Sequence, residues 1–336
     1  MAITRISDAI VPEVFFNYMM KRTKQKSALY GAGVMVDDAE LSAKLAGGGR
    51  TFNVPFWKDL DDTESDTASD DPASDATPGN IGTGKDIARR QVRTRGWSSA
   101  QLTRALAGDD PMKRIAELAG DYWGRQFDDI AVNTMRGVIA DNVANDSGDM
   151  VYDIGTDSAS AITSAELFSA DAVIDAVQTM GDAKEDLKVM AMHSVVHTRL
   201  AKQQLIDYRL DAEGKVWWPY YLDYRLHISD RCPAIVGTNR TEYHTYIFGS
   251  DALAWATSTL PNAVSTDVDE SAADGMGIEE LWTRQQFVCH PYGIKWTDSS
   301  VSGEFPTNTE LRTAANWDRV YAERKQIPIA CLITNG

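Results

Sequence analysis

The sequence is poor in the residues from which most catalytic and extracellular chemistry is built. Its three cysteines, Cys232, Cys289 and Cys331, are odd in number and far apart, which excludes a disulfide framework and a C-x-x-C metal knuckle and leaves buried free thiols. No apolar run approaches the ~18–20 residues that a membrane-spanning helix needs. The N-terminus, MAITRISDAIVPEVFFNYMMKRTK, lacks the basic start, apolar core and small-residue cleavage site of an export signal, so a soluble intracellular product is expected. Two glycosylation sequons, at Asn145 and Asn239, therefore carry no weight. Basic side chains are scarce as well: 33 Lys and Arg stand against 49 Asp and Glu, a net charge of -16. That balance excludes long-range attraction of the whole molecule to a phosphate backbone.

What is present is enough apolar material, 43% of 336 residues, for one large domain or two to three ordinary ones. One stretch stands out. Residues 79–97 read GNIGTGKDIARRQVRTRGW, and Gly79 to Lys85 match most of the phosphate-loop pattern G-x-x-x-x-G-K-[ST]. A working phosphate loop needs a buried strand feeding the glycines and a helix leaving them, because backbone N–H groups and the helix dipole hold the anion. The preceding residues, DDTESDTASDDPASDATP, cannot form a central strand, and Asp86 stands where a magnesium-binding hydroxyl belongs. A P-loop NTPase using this segment is thus the weaker alternative, and a flexible glycine turn the plainer reading.

The charges around that turn are segregated. Between Lys58 and Lys85 lie Asp59, Asp61, Asp62, Glu64, Asp66, Asp70, Asp71 and Asp75 with no basic residue, whereas Arg89, Arg90, Arg93 and Arg95 follow Lys85 against Asp86 alone. TFNVPFW at 51–57 and IARRQVRTRGW at 87–97 read as extended arms, so the segment is a long hairpin with a polar tip. Its only large apolar side chains between 58 and 91 are Leu60, Ile81 and Ile87, too few to offset an ordering cost of roughly 1–2 kcal/mol per residue. A partner must supply what the hairpin lacks, or the tip is a solvated insertion. Lys58, Asp61, Asp62, Lys85, Arg89, Arg90, Arg93 and Arg95 are the candidate inter-subunit contacts. The arginines are expected to pair with carboxylates of neighbouring copies or with Asp59 to Asp75 across the hairpin, since a planar guanidinium grips a carboxylate through two bonds.

Elsewhere, Ile6, Ile10, Val14, Phe15 and Tyr18 recur at helix-like spacing in an arm-like lead-in. Asp109, Asp110 and Pro111 open a helix running to about Val143, roughly 50 Å at about 1.5 Å per residue. Gly120, Gly124 and Gly137 within it point to close packing or bends. Thr163-x-x-Glu166 reads as a capping box opening a second helix that Gly181 stops, and LKVMAM as a buried strand followed by a helix in HSVVHTRLAKQQLID. Further strands are expected at 234–238, 244–249 and 287–297, a short helix near 310–321, and a last strand in IPIACLIT. The interleaving gives an α+β or α/β middle.

Catalytic patterns are incomplete. His193 and His197 are four apart, but Ser194 replaces the glutamate of H-E-x-x-H and a third ligand is missing. Cys289 and His290 are strand neighbours that point to opposite faces. The aromatic run WWPYYLDYRLH at 217–227 has only Arg225 and His227 as possible cations, so it reads as packing or interface rather than base stacking. No catalytic residue, metal or cofactor is predicted, and the chain is read as a non-enzyme.

The order of parts, with the phrases NVPFWKDL, RTRGWSSAQL, MHSVVHTRL and VCHPYGIKW, resembles the major capsid proteins of tailed bacteriophages, in the shell fold named after phage Hong Kong 97. The resemblance implies an α+β fold: an N-terminal arm at 1–50, an extended hairpin loop at 51–98, a peripheral domain with a spine helix at 99–162, an axial domain at 163–297 and a return to the peripheral domain at 298–336. It further implies self-assembly through hexamers and pentamers into an icosahedral virion shell in the host bacterial cytoplasm. Double-stranded DNA would be enclosed without specific binding, portal, scaffolding or decoration proteins are possible partners, and no membrane is involved. A nanocompartment shell protein of the same fold is the nearest alternative.

Overall fold

A computed structural model describes residues 19, 29, 33–58, 60, 63–68, 70, 75, 77–107, 111–210 and 217–336. The N-terminal apolar stripe, the Asp109–Asp110 cap and Asp61 and Asp62 lie outside these residues. Two sheets and one long helix carry the fold.

The first sheet is built on the hairpin. Strand β1 (Met35–Asp37) leads into helix α1 (Ala39–Ala46), started by the Asp38 carboxylate, which accepts from the N–H groups of Glu40 and Leu41. Strands β2 (Thr51–Trp57) and β3 (Thr83–Ala100) then pair antiparallel, Thr51 opposite Arg89 and Trp57 opposite Thr83. The arms of the hairpin match the sequence reading, with β3 longer than expected at both ends.

After α2 (Gln101–Ala107) comes α3, Pro111–Asn145, a single helix of 35 residues. Its buried side chains, among them Trp123, Phe127, Ile130, Val138 and Ile139, recur at three- and four-residue spacing and form one stripe. At Gly137 a β-carbon would stand 2.0 Å from the Leu311 carbonyl oxygen, so the glycine marks close packing rather than a bend.

The second sheet begins at β4 (Val151–Asp153). The Thr163/Glu166 capping box is present, but it closes only a short turn. The helix expected there, α4 (Ala170–Gln178), starts later, capped by Ser169, whose hydroxyl accepts from the Ala172 N–H. Next come β5 (Leu187–Met192), as predicted from LKVMAM, and α5 (Ser194–Lys202), with His193 as its N-cap. Strands β6 (Asp207–Leu210), β7 (Trp217–Tyr221), β8 (Tyr224–Ile228), β9 (Ala234–Val236) and β10 (Thr241–Gly249) follow.

The chain then returns to the hairpin. Strands β11 (Leu253–Ser258), β12 (Val264–Asp269) and β13 (Ile278–Pro291) join it. The strand expected over 287–297 is broken by a turn at Gly293, whose φ of 78° only glycine adopts easily, before β14 (Ile294–Trp296). The expected C-terminal helix is reduced to α6 (Asn308–Leu311) and gives way to β15 (Trp317–Arg319), paired with β14. The last strand, β16 (Ile329–Thr334), is fully buried.

Strand order is β1-β11-β13-β3-β2 in the first sheet, with β12 on β13, and β4-β16-β10-β5-β8-β7-β6 in the second, with β9 on β10. Residues 253–291 therefore belong with the hairpin, and the C-terminal strand enters the other sheet between β4 and β10. The grouping of 163–297 as one unit with 298–336 outside it does not follow these sheets. Long-range pairing decided it, and local pattern does not encode that.

The main core lies along α3. Phe127 contacts Trp255 and Phe287 at ring separations of 4.7 and 5.0 Å, and Trp255 stacks on Phe287 at 5.1 Å. Trp123 donates its indole N–H to the Thr283 hydroxyl at 3.0 Å, tying helix to sheet. A second cluster packs α4 and α5 on the other sheet through Val173, Val177, Val196 and Leu200. A third, with Leu41, Leu45, Phe52, Ala88, Ala256 and Val288, seats α1 on the hairpin root.

Candidate inter-subunit surface

The hairpin has two unlike halves. From Arg90 to Ala100, β3 pairs residue by residue with β13, so its root is a central part of the first sheet. From Thr83 to Arg89 its ladder partner is β2, and beyond Trp57 the described residues up to Gly82 form no strand. Lys58 donates its backbone N–H to the Gly82 carbonyl at 2.9 Å, the last rung before the tip.

Arginines fasten the root to its own chain. Arg89, 3% exposed, donates to the Glu304 carbonyl at 2.8 Å and stands 3.4 Å from the Asp298 carboxylate. Arg50 reaches the same Glu304, its carbonyl at 3.3 Å and its carboxylate at 3.4 Å. Arg90 donates to the Leu45 carbonyl at 2.7 Å and lies over the Phe52 ring. Arg93 donates to the Asn308 side-chain oxygen at 3.1 Å. Burial pulls all three guanidinium pKa values down from the ordinary arginine value, an effect that Asp298 opposes at Arg89 and Glu310 at Arg93. The segment they grip is itself ordered by Glu310, whose carboxylate accepts from the Thr307 and Ser302 N–H groups and is held down to about 2 by those bonds.

Within one subunit Arg89, Arg90 and Arg93 are thus engaged by intrachain partners, and none is bonded to a described residue of the acidic run. The reason is topological: a segment more than two hundred residues later, 298–308, lies against β3 and offers carbonyls and Asp298. Lys58, Lys85 and Arg95 are different. Their side chains are exposed and have no ion-pair or hydrogen-bond partner among the described residues.

Sequence reasoning missed the buried link between Asp86 and His290, 2.9 Å apart, which joins β3 to β13. It also missed the apolar side chains left in the open where the hairpin leaves the body. Trp57 is 68% exposed, Leu60 67% and Ile81 50%. Beside them lies a cleft of about 1140 Å³ lined by Phe56, Trp57, Leu60, Tyr292, Tyr321 and Pro328. Tyr321 meets Phe56 edge to face at 4.7 Å. The only sequence signal for Trp57 was its place at the end of TFNVPFW, immediately before the charges begin.

The geometry also disposes of the nucleotide reading. Among the described residues no strand leads directly into Gly79 to Gly82, and Lys85 sits inside β3 rather than at the start of a helix, so no helix dipole is available there to a phosphate. His193 spends its Nδ1 accepting from the Val195 N–H at 3.2 Å, and His197 is half-buried with its pKa lowered by burial. Among the described residues no group of three His, Cys, Asp or Glu is placed to hold a metal, and no helix is long and apolar enough to cross a membrane. Cys232 and Cys289 are buried thiols pushed up to about 12 by desolvation, and burial raises Cys331 as well.

This arrangement of two sheets, a long helix and a projecting hairpin is the fold of phage capsid subunits. The capsid of Ralstonia phage GP4 matches with a TM-score of 0.58 at 12% identity, over 93% of this chain and 92% of that one. The cyanophage Pam1 capsid asymmetric unit matches with a TM-score of 0.58 at 9% identity, over 93% and 92%. In sequence, residues 48–328 match the model of the Gp13-like major capsid protein family. The major capsid protein of Bacillus phage SPP1 is 36% identical over 329 residues, 97% of this chain and 96% of that protein. The chain belongs to the Gp13-like family of major capsid proteins, which are structural proteins and not enzymes.

Proposed function

We propose that this chain builds, through hexamers and pentamers, the icosahedral head of a tailed phage around double-stranded DNA, within the fold named after phage Hong Kong 97. The observation that carries the reading is the division of the hairpin. Its root is bonded into its own sheet, while its tip combines four described, exposed carboxylates, Glu64, Asp66, Asp70 and Asp75, with exposed Trp57, Leu60 and Ile81. Such a tip cannot bury apolar surface on its own chain and gains order by lying on a neighbouring copy. Lys58, Lys85 and Arg95, with the acidic run including Asp61 and Asp62, are its charged contacts. α3 is the spine of the peripheral part, which takes in the first sheet, and the second sheet with β16 is the axial part. The chain is then a virion component, assembled in the host cytoplasm. An acidic inner wall suits a container whose DNA must enter and leave.

Deleting residues 61–82 in the full chain tests this by electron microscopy and thermal unfolding. The expected product is a folded subunit with an unchanged melting point that forms no closed shells. Normal shells from the deletion, or a subunit that no longer folds, would contradict the assignment.

A further inference from the structure

The last turns of α3 carry a buried carboxylate with no cation of its own. Gly137 packs against the Leu311 carbonyl and the Trp317 indole, and Asp141 stands one turn later on the same side of the helix, only 2% exposed. Among the described residues its carboxylate has one bond, from the Asn145 side-chain amide at 2.6 Å. The charged groups of the surrounding elements are matched with one another instead. On the turn after the helix, Asp149 holds Arg319 of β15 at 2.7 Å, and that guanidinium also donates to the Tyr321 and Ala322 carbonyls. Asp318 of β15 holds Lys295 of β14 at 2.6 Å. Arg324 donates to the Asp149, Ile327 and Ile329 carbonyls. At the end of α6, Glu310 accepts from Ser302 and Thr307, and Arg312 donates to the Thr309 hydroxyl. Asp141 is left with the like charges of Asp146 and Asp318. Burial pushes its carboxyl up to about 6 against the Asn145 bond, and those two charges add to the rise.

The position makes this carboxyl a joint. Its neighbour Asn142, 1% exposed, donates to the Asp149 carboxylate at 2.8 Å and accepts from the Met150 N–H at 3.0 Å, which ties the helix end to the turn leading into β4 of the second sheet. The end of α3, that turn and β15 therefore meet around Asp141. We infer that the end of α3 is a proton-operated joint: a protonated Asp141 carboxyl holds the helix against β15 and the turn into the second sheet, and an ionised one loosens that contact. Ionisation would place a third negative charge beside Asp146 and Asp318 in a site that water reaches poorly, and a neutral amide cannot offset it. A carboxyl whose folded value lies above its unfolded one takes up a proton on folding, so the stability of the joint is full in acid and is lost as pH rises through about 6. The inference stands independently of the shell assignment, since it concerns contacts within one subunit.

Hydrogen exchange of the full chain, expressed relative to the unprotected rate at each pH, tests it. Protection of residues 138–150 and 314–320 should fall about tenfold between about pH 5 and about pH 8, whereas Asp141→Asn should keep its acid-level protection throughout and leave peptides of β13 unchanged. Asp318→Asn, at an exposed position, supplies a second variant. It removes one like charge and frees Lys295, so the fall should become smaller and its midpoint should move to lower pH. A merely structural Asp141 would give no such pH profile. Protection at the joint that stays level across this range, that falls equally in Asp141→Asn, or that keeps the wild-type midpoint in Asp318→Asn would overturn the inference.

Discussion

The root and the tip of the hairpin are adjacent in sequence, both charged, and opposite in physical status. At the root, Arg89, Arg90 and Arg93 are sheltered and bonded to carbonyls, Asn308 and Asp298 of their own chain. At the tip, the described carboxylates are exposed and Trp57 and Leu60 face solvent. The difference shows that charge type does not tell a segment clasped by its own chain from one left open to solvent. What distinguishes them is what packs against the hairpin: β13 pairs with β3 from Arg90 onward and the segment carrying Asp298 and Glu304 covers Arg89, whereas the described residues between Trp57 and Thr83 form no strand.

The contrast can be sharpened first in the sheet that holds the root. Trp255→Ala removes the ring that packs on both Phe127 and Phe287 and should cost about 3–5 kcal/mol in denaturant unfolding, with the hairpin root losing exchange protection together with the core. Retained protection in β3 would mean that the root is not part of that sheet's cooperative unit.

Acid comes next. Burial lowers the pKa of His227 and of His244 to about 4. A base whose folded pKa is depressed refuses protons that the unfolded chain accepts, so stability is lost as pH falls below about 6.5 and the loss levels off near 4. Each ring contributes on the order of 2–3 kcal/mol to that loss. His244→Gln should flatten the stability curve over this window, whereas acidic substitutions in the tip should leave its shape unchanged. An unaltered slope would show that His244 is not a buried neutral base.

Arg89→Ala should cost about 1–3 kcal/mol, because the Glu304 carbonyl and Asp298 lose their donor, and should speed exchange across β2 and the outer part of β3. The smallest effect belongs to the tip. Replacing Glu64, Asp66 and Asp70 by their amides should change subunit stability by no more than about 0.5 kcal/mol, yet slow shell assembly monitored by light scattering. A large loss of subunit stability would place the tip on its own chain and break the comparison.

Much of this was legible because it is local. TFNVPFW and LKVMAM have the length and β-branched or alternating character of strands, and Pro111 with the three- and four-residue spacing behind it marks α3. The acidic, hydrophobe-poor run announced a projection from composition alone. Not legible were the partners of the arginines. Asp298, Glu304 and Asn308 carry no motif and meet β3 only after the chain has built the second sheet and returned. The short elements near the C-terminus were overread as one helix, because the bond from the Trp317 indole to the Leu311 carbonyl and the close approach at Gly137 hold that segment bent against α3. Assigning β11, β12 and β13 to the hairpin sheet likewise required pairing that periodicity does not carry.

The most direct measurement is hydrogen exchange of the same protein before and after assembly, read at residues 63–68 and 77–82 and at the β3–β13 ladder. Protection of the ladder in both states, with protection of the tip appearing only in closed shells, is the predicted result. A tip already protected in the unassembled subunit would contradict the claim that a neighbouring copy orders it.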